Sequence, residues 1–310
     1  MARAEEITGI DCKMDAAQGA AIILRARFEE MTARREAALD FSTIDGIHDM
    51  RVAMRRVRNA VRDLRHLLKK DHYKSFNKQL KKMYDIVGKV RDEDVMIASL
   101  GRMRAKTDSE IVKQGIDNLL HDHNESREDS RDKLTAELSQ EHFAELEGDL
   151  DALLRAALEK APEKEKSFKE AGRETIGDIL SKFCQLSDNL STAYDFEALH
   201  KFRLASKRLR TALQVFGGCW GEKIEPFVEQ VAKMQLILGK VHDRDAWLTD
   251  LTDRLGPNNK KILIVDGLAG KWISGRLVKK RNKNYRAALE LWKQWEADEL
   301  MDKLRETISK

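Results

Sequence analysis

Two eleven-residue segments concentrate the polar chemistry of this sequence: HDMRVAMRRVR at 48–58 and HKFRLASKRLR at 200–210. Each sets a histidine ahead of cations at +3, +7 and +10. On a helix advancing about 100° per residue, with His48 at zero, Arg51, Arg55, Arg58, Arg62 and Lys69 fall in one arc between about 280° and 340°. Met50, Met54, Val57, Val61, Leu64 and Leu68 fall between about 160° and 240°. From His200, Arg203, Lys207 and Arg210 take the same basic arc, and Phe202, Leu209, Leu213 and Phe216 the same apolar one. Arg56 and Arg208 stand off the stripe in both segments. A solvated helix face normally mixes signs, because Glu and Lys four residues apart attract, whereas like charges at that spacing repel by a few tenths of a kcal/mol per pair. A one-sign stripe repeated in both segments therefore points to an anion that relieves the repulsion. Its place beside the apolar arc sets the cations at the rim of a buried seam, where a lower dielectric strengthens each contact.

A second pair of segments supports the first. VGKVRDEDV at 87–95 matches LGKVHDRDA at 238–246. Lys82 and Lys89 share one helical face and have counterparts in Lys233 and Lys240, while Arg91 and His242 are equivalent. Asp92, Asp94, Asp243 and Asp245 also repeat. Carboxylates repel phosphate, so their expected role is structural capping or salt bridging, or orienting the cations from behind. A carboxylate beside His48 or His200 would raise that histidine's pKa. Further cations follow at Arg127 and Arg131, and at Lys271, Arg276, Lys279, Lys280 and Arg281. Of these less well matched residues, Arg127, Arg131, Lys271 and Lys279 are taken as additional candidates.

Other chemistries fit less well. Neither His48 nor His200 has a His or Cys at i+3 or i+4, and His121 and His123 do not face one another on a helix. No metal site and no cofactor is therefore expected. No P-loop, HExxH or Gly-rich phosphate loop is present, so binding is expected rather than catalysis. A phosphate-ester or polyphosphate-processing enzyme, with the four aspartates holding Mg²⁺, is the alternative. Nucleic acid is another alternative ligand, but the stripe lacks interleaved aromatics and no helix-turn-helix pattern is evident.

The elements that must position these residues also repeat. The histidine segments are offset by 152 and the glycine segments by 151. Between them Phe76, Leu80, Met83 and Val87 match Phe227, Val231, Met234 and Leu238. Such self-similarity marks a duplicated unit of about 150 residues. Helices are expected near 14–40, 46–70, 73–106 and 109–160, the last broken near His142, and again near 170–192, 197–217, 223–255 and 258–308. Three prolines in 310 residues leave room for helices of this length. Gly88 and Gly239 predict a kink, or a place where another backbone approaches closely. The charged segment 160–170, with Pro162, is the expected boundary between repeats at 14–160 and 165–308. The expected class is all-α, two four-helix bundles.

The net charge of +4 hides the uneven placement of 57 basic and 53 acidic residues. Cys12, Cys184 and Cys219 fit no zinc or disulfide pattern and are expected as reduced thiols. No apolar run reaches the roughly 18 residues of a membrane helix, and acids occupy the N-terminus where a signal peptide would be apolar. A cytoplasmic protein without a membrane partner is expected.

The paired segments in duplicate, HDMRVAMRRVR with GKVRDEDV and HKFRLASKRLR with GKVHDRDA, resemble the signature of the CHAD family, the conserved-histidine α-helical domain. The resemblance spans residues 14–308 and implies two pseudo-symmetric bundles facing each other across a basic central pore. It also implies binding of inorganic polyphosphate and association with polyphosphate granules. Carried over by motif position, the binding residues are His48, Arg51, Arg55, Arg56, Arg58, His200, Arg203, Lys207, Arg208 and Arg210, joined by Lys82, Lys89, Lys233 and Lys240. Arg62, Arg91 and His242 extend the set through the stripe and the second motif. Lys207 in place of arginine loses the bidentate fork, and His242 in place of Arg91 makes that contact pH-dependent. The ExExK strand of some relatives is missing: EKEKS at 163–167 has Ser167 where lysine would stand.

Overall fold

The computed structural model describes residues 7–159, 166–255 and 264–310. Among them there is no strand, only a lone antiparallel bridge between Asp15 and Ser167. The helices are α1 (Ala16–Thr32), α2 (Arg35–Leu39), α3 (Asp45–Asp63), α4 (Lys70–Arg104), α5 (Glu110–Glu137), α6 (Gln140–Leu158), α7 (Phe168–Gln185), α8 (Phe196–Phe216), α9 (Glu225–Leu255), α10 (Ile264–Ala297) and α11 (Leu300–Ser309). Short 3₁₀ turns follow α3, α7 and α8. Pro162, the EKEKS segment up to Glu165 and Pro257 lie outside the described residues.

The chain forms two compact units. One comprises Met1–Ile97 with His123–Gly172, the other Ala98–Asp122 with Arg173–Lys310. The expected repeats at 14–160 and 165–308 differ in leaving 98–122 with the first. The reason is length: at 1.5 Å per residue, the 35-residue α4 and 28-residue α5 are longer than their bundle neighbours, and their joined ends pack in the second unit.

In the first unit Asp15 caps α1, its Oδ1 accepting from Ala17 N at 2.8 Å and Gln18 N at 3.2 Å. The apolar arc of α3 is buried throughout, from Met50 to Leu68. It packs with Ile23, Leu24 and Phe28 of α1 in the core that also holds Phe76, Leu80, Met83 and Val87 of α4. In the second unit the matching quartet, Phe227, Val231, Met234 and Leu238, is buried as well. Phe202 of α8 stacks on Phe183 at 4.9 Å between centroids and meets Trp292 edge-on at 5.6 Å. Each fully buried aliphatic or aromatic side chain contributes roughly 1.5–3 kcal/mol. The repeat-matched positions are thus the ones that fasten the motif helices α3 and α8 to α4 and α9.

Helix breaks differ from expectation in detail. The break expected near His142 falls three residues earlier, where Ser139 Oγ accepts from His142 N at 3.3 Å and starts α6. The first expected helix divides into α1 and α2, and the last ends at Glu299, whose left-handed φ of 51° separates α10 from α11. Gly88 and Gly239 do not interrupt α4 and α9.

Candidate functional site

In the first unit the stripe residues His48, Arg51, Arg55, Arg58 and Arg62 are all half-buried on α3. Arg51 is fixed from several sides. Its Nη1 donates to Gly88 O at 2.6 Å and lies 3.1 Å from Asp92, and its guanidinium stands 5.4 Å from the Tyr84 ring centroid. A Cβ at residue 88 would meet Arg51 Nη1 at 2.8 Å, so glycine there makes room for the arginine. Neither expectation for Gly88 holds as stated: α4 is not broken there, and what comes close is the Arg51 side chain rather than another backbone. Arg58 lies over the other reach of Tyr84, 4.4 Å from its centroid. Two guanidinium groups thus share one phenol ring, a contact of about 0.5–1 kcal/mol each at such partly exposed sites.

His48 sits against Arg91 and Arg55. Burial, then Arg91, hold its pKa below the ordinary histidine value. The expected rise from a neighbouring carboxylate is therefore reversed: Asp49 pulls upward but is outweighed. Arg91 is itself lowered, first by burial and then, against the pull of Asp94, by Arg51.

In the second unit His200, Arg203, Lys207 and Arg210 are likewise half-buried on α8. His242 of α9 faces His200, with Nδ1 atoms 3.4 Å apart and ring centroids 4.8 Å apart. Burial, Arg203 and His200 push His242 down to about 4, and burial with Arg203 lowers His200. Here too burial and neighbouring cations disfavour the charged form of the histidines. Arg210 Nη1 donates to Gln235 Oε1 at 3.1 Å, and Gln235 is the counterpart of Tyr84. Nothing lies within 4 Å of a Cβ built on Gly239.

Three of the four aspartates lie against arginines. Asp92 bridges Arg51, Asp94 lies 3.8 Å from Arg127, and Asp245 accepts from Arg281 Nε at 2.7 Å. Burial raises the pKa of all three against the opposing pull of these arginines. Asp243 is exposed; burial lowers the pKa of Arg244 beside it against the opposing pull of Asp243.

The remaining candidates are dispersed. Arg56 pairs with buried Glu30 of α1, which Arg27 also bridges at 2.8 Å. Arg62 donates to buried Asp63. Lys82 bridges Glu137 at 2.7 Å. Arg131 pairs with Glu128 and stands over Phe41, and Arg127 also reaches Glu128. Lys89, Lys233, Lys240, Arg208, Lys271 and Lys279 are exposed.

Sequence reasoning missed three residues. Tyr84 and Gln235, the seats of Arg58 and Arg210, carry no charge signal, and only their register with the motif could have singled them out. Arg281 is 2% exposed and threads between Asp245, the carbonyl of Ala193 and the rings of Tyr194, Phe196 and Tyr285. Its position among surface cations gives no hint of burial. Among the described residues no group of three His, Cys, Asp or Glu is placed to hold a metal, and no helix is long and apolar enough to cross a membrane. Cys184 is a free thiol, but Cys12 and Cys219 are each disulfide-bonded, so the expectation of three reduced thiols fails at two positions.

Comparison with known proteins follows the same lines. The CHAD-domain family model matches residues 22–252. The crystal structure of the CHAD domain from the plant Ricinus communis is similar to this chain, with a TM-score of 0.69 at 19% identity, covering 92% of this chain and 95% of that one. PptA from Streptomyces chartreusis is similar with a TM-score of 0.66 at 12% identity, covering 90% and 100%. No curated protein matches.

Proposed function

Because the chain belongs to the CHAD-domain family, we propose that it binds inorganic polyphosphate through the motif cations of α3 and α8, without catalysis. One observation carries the reading. In both units the motif histidine is half-buried beside cations, Arg91 and Arg55 in one and Arg203 in the other, which lower its pKa further after burial, so each motif is a site of positive potential at the edge of a core. A bound anion relieves that potential. Arg51, Arg55, Arg58 and Arg91 supply it in one unit, and Arg203, Lys207 and Arg210 in the other. Each charge-assisted hydrogen bond to a phosphoryl oxygen contributes roughly 1.5–3 kcal/mol. Arg56 stays with Glu30 and supports α3 rather than the polymer.

The proposal includes the finer architecture implied by the family: two pseudo-symmetric repeats serving one basic groove, and a cytoplasmic protein that reaches polyphosphate granules through this ligand. A polymer held at two motifs binds far more tightly than a short piece held at one.

The test is calorimetric titration with long-chain polyphosphate at two salt concentrations, with duplex DNA as control. Submicromolar binding that weakens steeply with salt and is lost in the Arg51→Ala, Arg203→Ala double variant supports the reading. Preference for DNA at equal phosphate would transfer the motif to nucleic-acid binding, and magnesium-dependent phosphate release would make the protein an enzyme.

A further inference from the structure

A second group of cations lies outside the motif stripe, within the second compact unit. The turn between α4 and α5 is closed by Arg104, whose Nε and Nη2 donate to Asp117 at 2.6 and 2.9 Å. Asn118, one residue on, donates to Asp266 in the first turn of α10 at 2.8 Å. These two ties set the end of α4 beside α10. Five cations then cluster: Arg102 of α4, Lys106 just beyond it, Arg244 of α9, and Arg276 and Lys280 one turn apart on α10.

Their neighbours behave differently. Arg104 takes Asp117, Arg254 takes Asp250 and Arg281 takes Asp245. Among the described residues none of the five forms an ion pair, in a chain with 53 acidic residues to draw on. Arg244 Nη1 donates to Lys240 O at 2.6 Å, while its buried Nε has no partner. Arg276 rests over the Trp272 ring, 4.6 Å from its centroid. After burial, the causes that lower the Lys280 pKa are Lys106, Arg244, Arg276 and Arg102, in that order.

The first unit shows the same place closed. The counterpart of Arg244 is Glu93, which is held by His123 Nδ1 at 2.6 Å and accepts from Ser126 Oγ at 2.8 Å. A satisfied polar group in one copy is thus a cation with an unpartnered nitrogen in the other. Asp243 eases this repulsion at Arg244, but the five clustered cations, none of them in an ion pair, still repel one another.

We infer that Arg102, Lys106, Arg244, Arg276 and Lys280 form a second anion site, built for a run of condensed phosphoryl groups. It deepens the polyphosphate reading and rests on it for the class of ligand, but it uses none of the cations assigned to that reading: Arg244 lies within the GKVHDRDA segment yet outside the stripe. Arginine forks and lysine ammonium groups both suit phosphate oxygens, and five of them match a ligand with several adjacent charges better than a single carboxylate. The anion comes either from a stretch of the polymer held by the motif cations or from a separate short oligophosphate.

The full chain is titrated calorimetrically with tripolyphosphate and with long-chain polyphosphate. The variants are Arg244→Ala with Lys280→Ala, Arg51→Ala with Arg203→Ala, and Lys293→Ala with Lys303→Ala as a control for lost charge. The expected result is at least a tenfold loss of one tripolyphosphate site in the first variant, retained in the second and in the control. Long-chain affinity that also falls in the first variant assigns the site to the polymer; long-chain affinity that is unchanged assigns it to a free oligophosphate. Tripolyphosphate binding by the first variant equal to that of the wild type, or of the control, overturns the inference. Thermal melting guards against misfolding, since removing two mutually repelling cations should leave the apo melting temperature unchanged or raised. If the motif reading fails, the second variant binds long chains like wild type, and the first still loses its tripolyphosphate site.

Discussion

Arg51 and Arg203 hold equivalent positions on α3 and α8, yet their surroundings differ. Arg51 is received by the facing helix, seated in the space that Gly88 leaves and clamped by a carbonyl, a carboxylate and an aromatic ring. On α9 the space over Gly239 is open, and the adjoining residue is His242, paired with His200. Tyr84, beneath two guanidinium groups, is replaced by Gln235, which holds one. The first motif is therefore set in advance with permanent charge. The second carries part of its charge on groups that are neutral in the free protein near pH 7. On the proposed function, a repeated sequence pattern yields one anion seat of fixed charge and one that depends on protonation.

Truncating the two arginines separates the seats most strongly. Arg51→Ala is expected to weaken long-chain polyphosphate binding by roughly ten- to a hundredfold, the equivalent of one charge-assisted hydrogen bond. Arg203→Ala should cost less, because its seat is less preorganised. Equal losses by calorimetry would erase the distinction.

Acidity comes next. His242 has a folded pKa of about 4, below the ordinary value, so as pH falls below about 6.5 the unfolded chain takes up the proton first. The free protein should lose stability between about pH 6.5 and 4, and be unaffected by this group above that window. A bound polyanion raises the same pKa, so binding takes up protons and affinity should rise severalfold from pH 7 to 5. His242→Arg, which copies Arg91, should flatten that rise; an unchanged profile would exclude the histidine pair as its source.

The two glycines give a smaller contrast. Gly239→Ala should stabilise α9 by about 0.5–1 kcal/mol, read as a raised melting temperature, with unchanged binding. Gly88→Ala should forfeit that gain and weaken polyphosphate binding, because the methyl group and Arg51 Nη1 claim the same space. The smallest effect belongs to Tyr84→Gln, which makes the first seat resemble the second. Loss of cation–π contact worth about 0.5–1 kcal/mol predicts a two- to fivefold drop in affinity.

Much of this architecture was legible in the sequence because it rests on period and repetition. The apolar arc of α3 and the matched quartet on α4 and α9 are all buried, since 3.6-residue spacing leaves one face for the core. The cationic arc lies beside that core for the same reason. What could not be read depends on partners distant in sequence. Arg56 looks like its neighbours until Glu30 arrives from α1, and Arg281 looks like a surface cation until Asp245 and three rings enclose it. The histidine pKa values went against expectation because burial, the largest cause, disfavours the charged form, and because Asp92 and Asp94 lie against arginines, so that cations outweigh Asp49 beside His48.

The division of α4 and α5 between the compact units bears on how the chain can be taken apart. Residues 98–122 follow the first motif pair in sequence but pack in the second unit, where Met103, Val112, Ile116 and Leu119 are buried. Cutting between the sequence repeats would strip those four side chains from their surroundings in one fragment and open a gap in the other. Neither half is then a free-standing building block. A division that respects the packing has to leave residues 98–122 with the second unit, which no single cut of the chain can do.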